Sequence, residues 1–249
     1  MEKSFSKFAQ FYDEFMLKLV NYEAWVDYVI DIWNLFSLKP KIVLDLACGT
    51  GIPSLILLKK GFQVIGVDKS KEMLEIFKKK IERYPELKSQ LTIIESDAVN
   101  FILDTQVDAA VSFYDSINYL LTEQELERCF SLVYKFLREK GIFSFDMNTI
   151  FVLEKFWDNN KFVRESESLK TLWENKFDKK LKISTLYLKC YLKDKKESFV
   201  EIHQERGYEY KTIIQLLKKV GFRRIKVFQH LTFLPAKKDS LRVMFVALK

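Results

Sequence analysis

The chain has 249 residues, 48% of them apolar and 30% charged, with only 7 Gly and 4 Pro. That length allows one domain, or a core carrying an inserted subdomain, and the composition excludes collagen-like, low-complexity and disordered classes. The net charge is +7, but 34 acidic residues are interspersed among the 41 basic ones, so most lysines read as solvated surface and only weakly as a nucleic-acid track.

No apolar run approaches the roughly 20 residues needed to cross a bilayer. The opening residues also lack the apolar stretch of a signal peptide, so a cytoplasmic protein without membrane contact is expected. Cys48, Cys129 and Cys190 lie far apart, and only His203 and His230 could complete a metal set. Neither a disulfide framework nor a metal site is expected.

In chain order, large apolar residues recur at helical spacing from Phe8 to Phe36, with Asn21 as a break or N-cap between two helices. Ile42 to Leu46 is too apolar to face water on either side, as in a buried parallel strand. Gly49-Thr50-Gly51 follows, then a helix with Pro53 in its first turn. A strand over Gln63–Val67, a helix from Ser70 to about Tyr84 and a strand over Leu91–Ile94 continue the alternation. Val107–Ser112 is a fourth strand, Thr122 and Glu125 open a helix with capping-box spacing, Gly141 ends that helix, and Ile142–Phe145 is a fifth strand. Five strands alternating with helices predict an α/β sandwich with right-handed crossovers. After Asp146 the pattern changes. Lys170–Phe177, Leu181–Leu192 and Ser198–Gln204 look like an inserted antiparallel meander. A helix over Lys211–Val220 stopped by Gly221, a strand over Arg223–Gln229 and a last strand over Leu241–Ala247 restore the first pattern.

Chemistry concentrates in Asp45-Leu46-Ala47-Cys48-Gly49-Thr50-Gly51. A strand that turns at once into a helix, leaving its backbone open toward a ligand, needs glycine where a β-carbon would block the turn or the approach. Val64 to Asp68 is a strand ending in a carboxylate that can accept from both hydroxyls of a ribose, and Asp97 follows the next strand, within reach of an adenine amino group. Each residue also has a structural reading: turn glycines, an Asp68 cap on the helix at Ser70, and a solvated loop acid at Asp97. The third position of a G-x-G-x-x-G pattern is Ser54, and Asp45 would disfavour a pyrophosphate while suiting a cation. The ligand expected is therefore an adenosine with positive charge.

On these residues the sequence resembles the class I S-adenosylmethionine-dependent methyltransferases. Asp45 to Gly51 matches the family's D-x-x-x-G-x-G, and Asp68, Ser70, Met73 and Leu74 match its D-x-S-x-x-M-L. Asp97-Ala98, Asp115 to Leu120 and Gly141 to Asp146 extend the likeness over most of residues 40 to 150. The resemblance implies a Rossmann-like, mostly parallel seven-stranded sheet flanked by helices. It places the core in residues 1–150 and 207–249, with helices 8–36 as a cap and an antiparallel β cover over 151–206. It implies S-adenosylmethionine as cofactor, with Ala47, Cys48, Gly49 and Gly51 against the methionine part and Asp45 near its ammonium. Asp68 would hold the ribose, Lys69 and Met73 the adenine edge, Asp97 and Ala98 the adenine polar groups, and Phe113 would close the site. Tyr12 matches a tyrosine that related enzymes place over the cofactor carboxylate, and it also fits a helical core stripe.

A sulfonium methyl is already activated, so the chain mainly has to hold the acceptor in line within roughly 3 to 3.5 Å and exclude water. Where the acceptor must lose a proton, the candidate bases are Asp115, Tyr119 and His203. Asn118, Tyr119 and Arg206 are the candidate substrate contacts. His203 equally reads as an exposed strand histidine, and Trp173, Tyr187, Tyr191 and Tyr208 as either an aromatic wall or strand packing. Asp115-Ser116-Ile117-Asn118 is not N/D-P-P-Y/F, and no Pro-Cys pair offers a thiolate for cytosine C5. A small-molecule acceptor is the main expectation. An RNA nucleoside, a protein side chain, or a noncatalytic role as a cofactor-binding partner are the alternatives, in a monomer or homodimer.

Overall fold

The computed structural model describes residues 4–249; residues 1–3, grouped with the core above, lie outside the described residues. The expected elements α1 (Ala9–Leu19) and α2 (Tyr22–Leu35) form, and the Asn21 side chain accepts the Ala24 amide at the start of α2. β1 (Ile42–Leu46), α3 (Ile52–Lys59), β2 (Gln63–Asp68), α4 (Lys71–Ile81), β3 (Leu91–Glu95) and β4 (Val107–Ser112) follow, with Ser70 as the side-chain cap of α4. α5 (Glu123–Phe136) opens with the full Thr122–Glu125 capping box.

Gly141 does not end α5, contrary to the sequence reading. The helix stops at Phe136, and Lys140 takes the left-handed conformation (φ +65°) inside β5 (Leu137–Asn148), where a register shift against β4 absorbs the extra residues. Gly141 is required by crowding instead. A β-carbon there would lie 2.8 Å from the Arg138 carbonyl oxygen and 3.1 Å from that of Asp108.

A short helix α6 (Ile150–Val152) leads to β6 (Lys161–Glu165), β7 (Leu169–Asp178), β8 (Ile183–Leu192) and β9 (Ser198–Arg206), four strands in antiparallel order. The sequence pattern reveals three of these. β6 escapes it because a five-residue strand with Lys, Arg and Glu carries almost no apolar alternation. α7 (Tyr210–Val220), β10 (Arg224–Gln229) and β11 (Arg242–Leu248) complete the chain.

β1 to β5 with β10 and β11 form a seven-stranded sheet in the order β10-β11-β5-β4-β1-β2-β3, and only β11 runs against its neighbours. α2 and α3 bury Val26, Val29, Trp33 and Leu57 on one face, while α5 and α7 bury Phe130, Val133 and Leu217 on the other. Near-continuous apolar strands are what a sheet covered on both faces demands. The order reverses between β1 and β4, so the carboxyl ends of the first strands face an open crevice. α1 lies over that end, packing Phe8 and Phe15 against Leu169, Leu188 and Cys190 of the second sheet.

Candidate functional site

From Leu46 the chain turns into α3 through Ala47, Gly49 and Gly51, all left-handed (φ +60°, +55° and +75°). At Gly51 a β-carbon would lie 2.2 Å from the Phe77 ring; at Gly49 it would meet nothing within 4 Å. One glycine is therefore demanded by packing behind the turn, while the other leaves an open face toward the crevice. Asp68 holds the turn from the tip of β2. One of its oxygens accepts the Gly49 amide and the other the Ser70 amide, each at 2.8 Å. Burial pushes its carboxyl above the ordinary range despite these two amides.

Asp45 is buried in β1 and accepts the Ser54 hydroxyl, so the residue at the third glycine position orients the acid. Burial, with Asp68 nearby, pushes the Asp45 carboxyl up to about 7, against the Ser54 bond that lowers it. Asp97 follows β3, accepts the Val99 amide at 3.1 Å and lies 3.8 Å from Lys69, whose side chain is mostly exposed. Ala98 is half-buried against the core, and Met73 is buried beside Ser70, to whose hydroxyl its amide donates. The structure thus gathers Asp45, Asp68 and Asp97 at three neighbouring strand ends. A cavity of about 40 Å³ between α1, this turn and the end of β4 is lined by Tyr12, Tyr22, Asp45, Gly49, Phe113 and Tyr114. Tyr12 and Tyr22 face each other there, hydroxyl to hydroxyl at 3.4 Å.

After β4, Tyr114 and Asp115 are both left-handed, and their amides donate to the two oxygens of the buried Asp146 on β5. Arg242 bridges Asp146 and Asp115, the latter at 2.6 Å, and its guanidinium stacks over Trp25 and Tyr114. Glu205 of β9 stands near Asp115 and accepts the Asn148 amide group at 2.8 Å. Burial and the nearby Asp115 drive the Glu205 carboxyl well above its usual range, and burial outweighs Arg242 to bring Asp115 to about 6.

Beside this pair the Tyr119 hydroxyl lies 3.1 Å from His203 Nδ1, and His203 Nε2 lies 3.3 Å from Glu201 Oε2. Burial pushes the Glu201 carboxyl up, but His203 and the amides of Phe8 and Phe5 outweigh it and leave it below its ordinary range. Those amides, with that of Ser6, donate to Glu201 at 2.8–3.1 Å and tie a strap over residues 4–8 to β9. The strap crosses to the core, where the Phe5 carbonyl accepts the Ser70 hydroxyl, and the Phe5 ring packs on Tyr119 and His203.

His203 is buried, so the exposed-strand reading of it fails. Asn118 and Arg206 do not face the crevice as substrate contacts. Asn118 spends its amide on Asn148 and on the Arg206 carbonyl, while the Arg206 side chain donates to the Leu121 carbonyl and stacks on Tyr208. The proposed aromatic wall is also dispersed, with Trp173 packed on Phe8 and Tyr191 exposed. The sequence reading missed Glu201, Glu205, Asp146 and Arg242. Glu201, His203 and Glu205 alternate along β9 and so share one face, a signal that strand periodicity carries.

A fold and a crevice of this kind define a class of nucleoside-cofactor enzymes, and comparison with known proteins names it. Residues 43–141 match the family model described as a methyltransferase domain. YqeM of Bacillus subtilis (strain 168), a methyltransferase by name, is 30% identical over 97% of this chain and 96% of its own. The crystal structure of an S-adenosylmethionine-dependent methyltransferase from Clostridium acetobutylicum ATCC 824 superposes with a TM-score of 0.86 at 28% identity, covering 97% of each chain. The sugar N-methyltransferase KedS8 from Streptoalloteichus sp ATCC 53650 shares the fold, with a TM-score of 0.77 at 18% identity over 96% of this chain and 92% of that one. The chain belongs to the class I S-adenosylmethionine-dependent methyltransferases, and S-adenosylmethionine is its cofactor. Among the described residues no helix is long and apolar enough to cross a membrane.

Gly51→Val is expected to lower stability by about 3 kcal/mol or more, since it combines overpacking against Phe77 with a strained φ. Denaturant unfolding measures this; Gly49→Ala, which meets no atom, is expected to cost much less.

Proposed function

We propose that the protein transfers the methyl group of S-adenosylmethionine to an amine of a small molecule. The observation that carries this reading is the buried acidic group beyond Phe113. Asp115, Asp146 and Glu205 gather around Arg242, which pairs with the first two, so that carboxyls outnumber the cation that meets them beside Tyr114 and Tyr119. Such a site favours a cation over a neutral or anionic acceptor. The fold likeness to a sugar N-methyltransferase supports the same class of acceptor.

The residues present suit the cofactor. Each Asp68 oxygen accepts one amide and keeps a lone pair for a ribose hydroxyl, Asp97 and the Ala98 backbone stand beside it for adenine, and the open face of Gly49 admits close approach. Asp45 would face the ammonium. Lys69 and Met73 would flank adenine, Phe113 would close the site, and Tyr12 would cover the carboxylate end. The cavity lined by Tyr12, Asp45 and Gly49 lies at the methionine end of that site, and the strap over residues 4–8, with α1, would open to admit the cofactor. Residues 151–206, with that strap, act as the substrate cover.

When bound, S-adenosylmethionine supplies a methyl activated by its sulfonium. The chain's own task is to strip a proton from the ammonium acceptor and hold the freed lone pair in line. His203 Nε2 lies 3.3 Å from Glu201 without a formed hydrogen bond, and for the transfer the imidazole holds its hydrogen on Nε2 and leaves Nδ1 to accept from Tyr119. The acceptor's proton passes to the Tyr119 oxygen as the Tyr119 hydrogen passes to Nδ1. The imidazolium so formed is paired with the buried Glu201 carboxylate. Asp115 positions the departing N–H and is not needed as the final base.

Five outcomes are expected. Asp68→Ala lowers affinity for S-adenosylhomocysteine by about 1.5 to 3 kcal/mol in calorimetry. Asp45 must ionise to meet an ammonium, so affinity rises with pH up to about 7 and then levels; Asp45→Asn abolishes this slope. The same proton stabilises the fold below about pH 4, and that contribution is lost as pH rises through about 7, because the folded protein holds the proton more tightly than the unfolded chain. Labelled methyl transfer to pooled metabolites should enter the amine fraction and neither RNA nor protein. With that acceptor, Tyr119→Phe lowers kcat by about 10² to 10⁴ at unchanged cofactor affinity. Transfer to RNA, or full activity in Tyr119→Phe, would defeat this reading.

A further inference from the structure

The antiparallel sheet ends on β6, whose outer edge is unpaired among the described residues. Its phase is set at both ends: the Ser166 amide donates to the Leu169 carbonyl, and the Asn175 amide to the Asn160 carbonyl. Continuing that register, Phe162 and Arg164 bond inward to β7, while Lys161, Val163 and Glu165 turn their N–H and C=O groups outward. Val163 is 59% exposed and Phe162 40%, an unusual pair of apolar side chains for an open edge.

Edge strands of soluble proteins carry charge to repel another strand. The charges of β6 oppose like to like in most antiparallel registers and pair opposite charges in only one. With Val163 opposite Val163 of a second copy, Lys161 faces Glu165 of that copy at both ends, and Phe162 faces its Arg164. Shifting by two residues in one direction places Phe162 opposite Phe162 and leaves Lys161 facing Val163; in the other it opposes Arg164 to Arg164. Shifting by four opposes Lys161 to Lys161 or Glu165 to Glu165. The favoured register is also the one in which the outward residues 161, 163 and 165 supply the bonds.

The surrounding charges extend the pattern. Within one copy Lys161 already pairs with Glu174 at 2.6 Å, and Glu165 with Lys170 and Lys193 at 3.3 and 3.0 Å. A second copy in this register would continue an unbroken alternation from Glu174 through Lys161 to Glu165 and Lys170 of the other chain. We propose that β6 pairs with β6 of a second copy about a two-fold axis through Val163, joining the two covers into one eight-stranded sheet. The inference rests on the strand alone and is independent of the methyl acceptor.

Sedimentation velocity of the full chain over about 1 to 100 µM tests it. The wild type should dimerise. Lys161→Glu makes both ends of the strand negative and Glu165→Lys makes both positive, so each variant alone should raise the dimer dissociation constant at least about tenfold. Mixed together, the two should form a heterodimer, and the double variant carrying both changes should dimerise as the wild type does. Val163→Pro removes an outward N–H without touching the bonds to β7, and should give a folded monomer by circular dichroism. A monomeric wild type, a dimer indifferent to Val163→Pro, or single variants that fail to pair when mixed would each overturn the proposal.

Discussion

A buried carboxylate must find donors, and the Asp68 side chain finds them in the Gly49 and Ser70 amides. Those two bonds join the turn after β1 to the start of α4. They fix how far apart the first two strand tips can sit and which way the glycine turn faces. With Phe77 filling the space behind Gly51, the turn has one side packed and one side open. The crevice therefore exists before any ligand arrives, because its walls are held by hydrogen bonds the fold needs in any case.

Glu201 performs a comparable task on the other side of the crevice. It is fully buried, accepts three strap amides, and lies beside His203. One carboxylate thereby links the strap, the antiparallel cover and the hydrogen-bonded line to Tyr119. In the proposed mechanism a closed strap and a correctly polarised His203 go together, so excluding water and accepting a proton are coupled by a single residue.

The core elements were legible because their signals are local. The capping box at Thr122 and Glu125, Asn21 ahead of α2 and Gly221 after α7 all lie within a few residues of the termini they define. Gly141 misled for an instructive reason: it stands where a helix stop is common, yet the crowding it relieves comes partly from Asp108, a residue of the neighbouring strand β4. Asn118 and Arg206 misled similarly. Polar side chains near a strand end look available until the backbone groups that claim them are brought in from β5, β9 and the Leu121 turn.

Periodicity and adjacent motifs determined the layering, most of the strands and the trio Asp45, Asp68 and Asp97, because each of those residues is covalently tied to the strand end that presents it. The tertiary structure alone decided the pairing of Asp115 with Glu205 and Arg242, and of Glu201 with the strap. These contacts span from about 90 to nearly 200 positions in the chain. No local pattern encodes them, since whether a carboxylate is solvated or buried depends on which distant segments cover it.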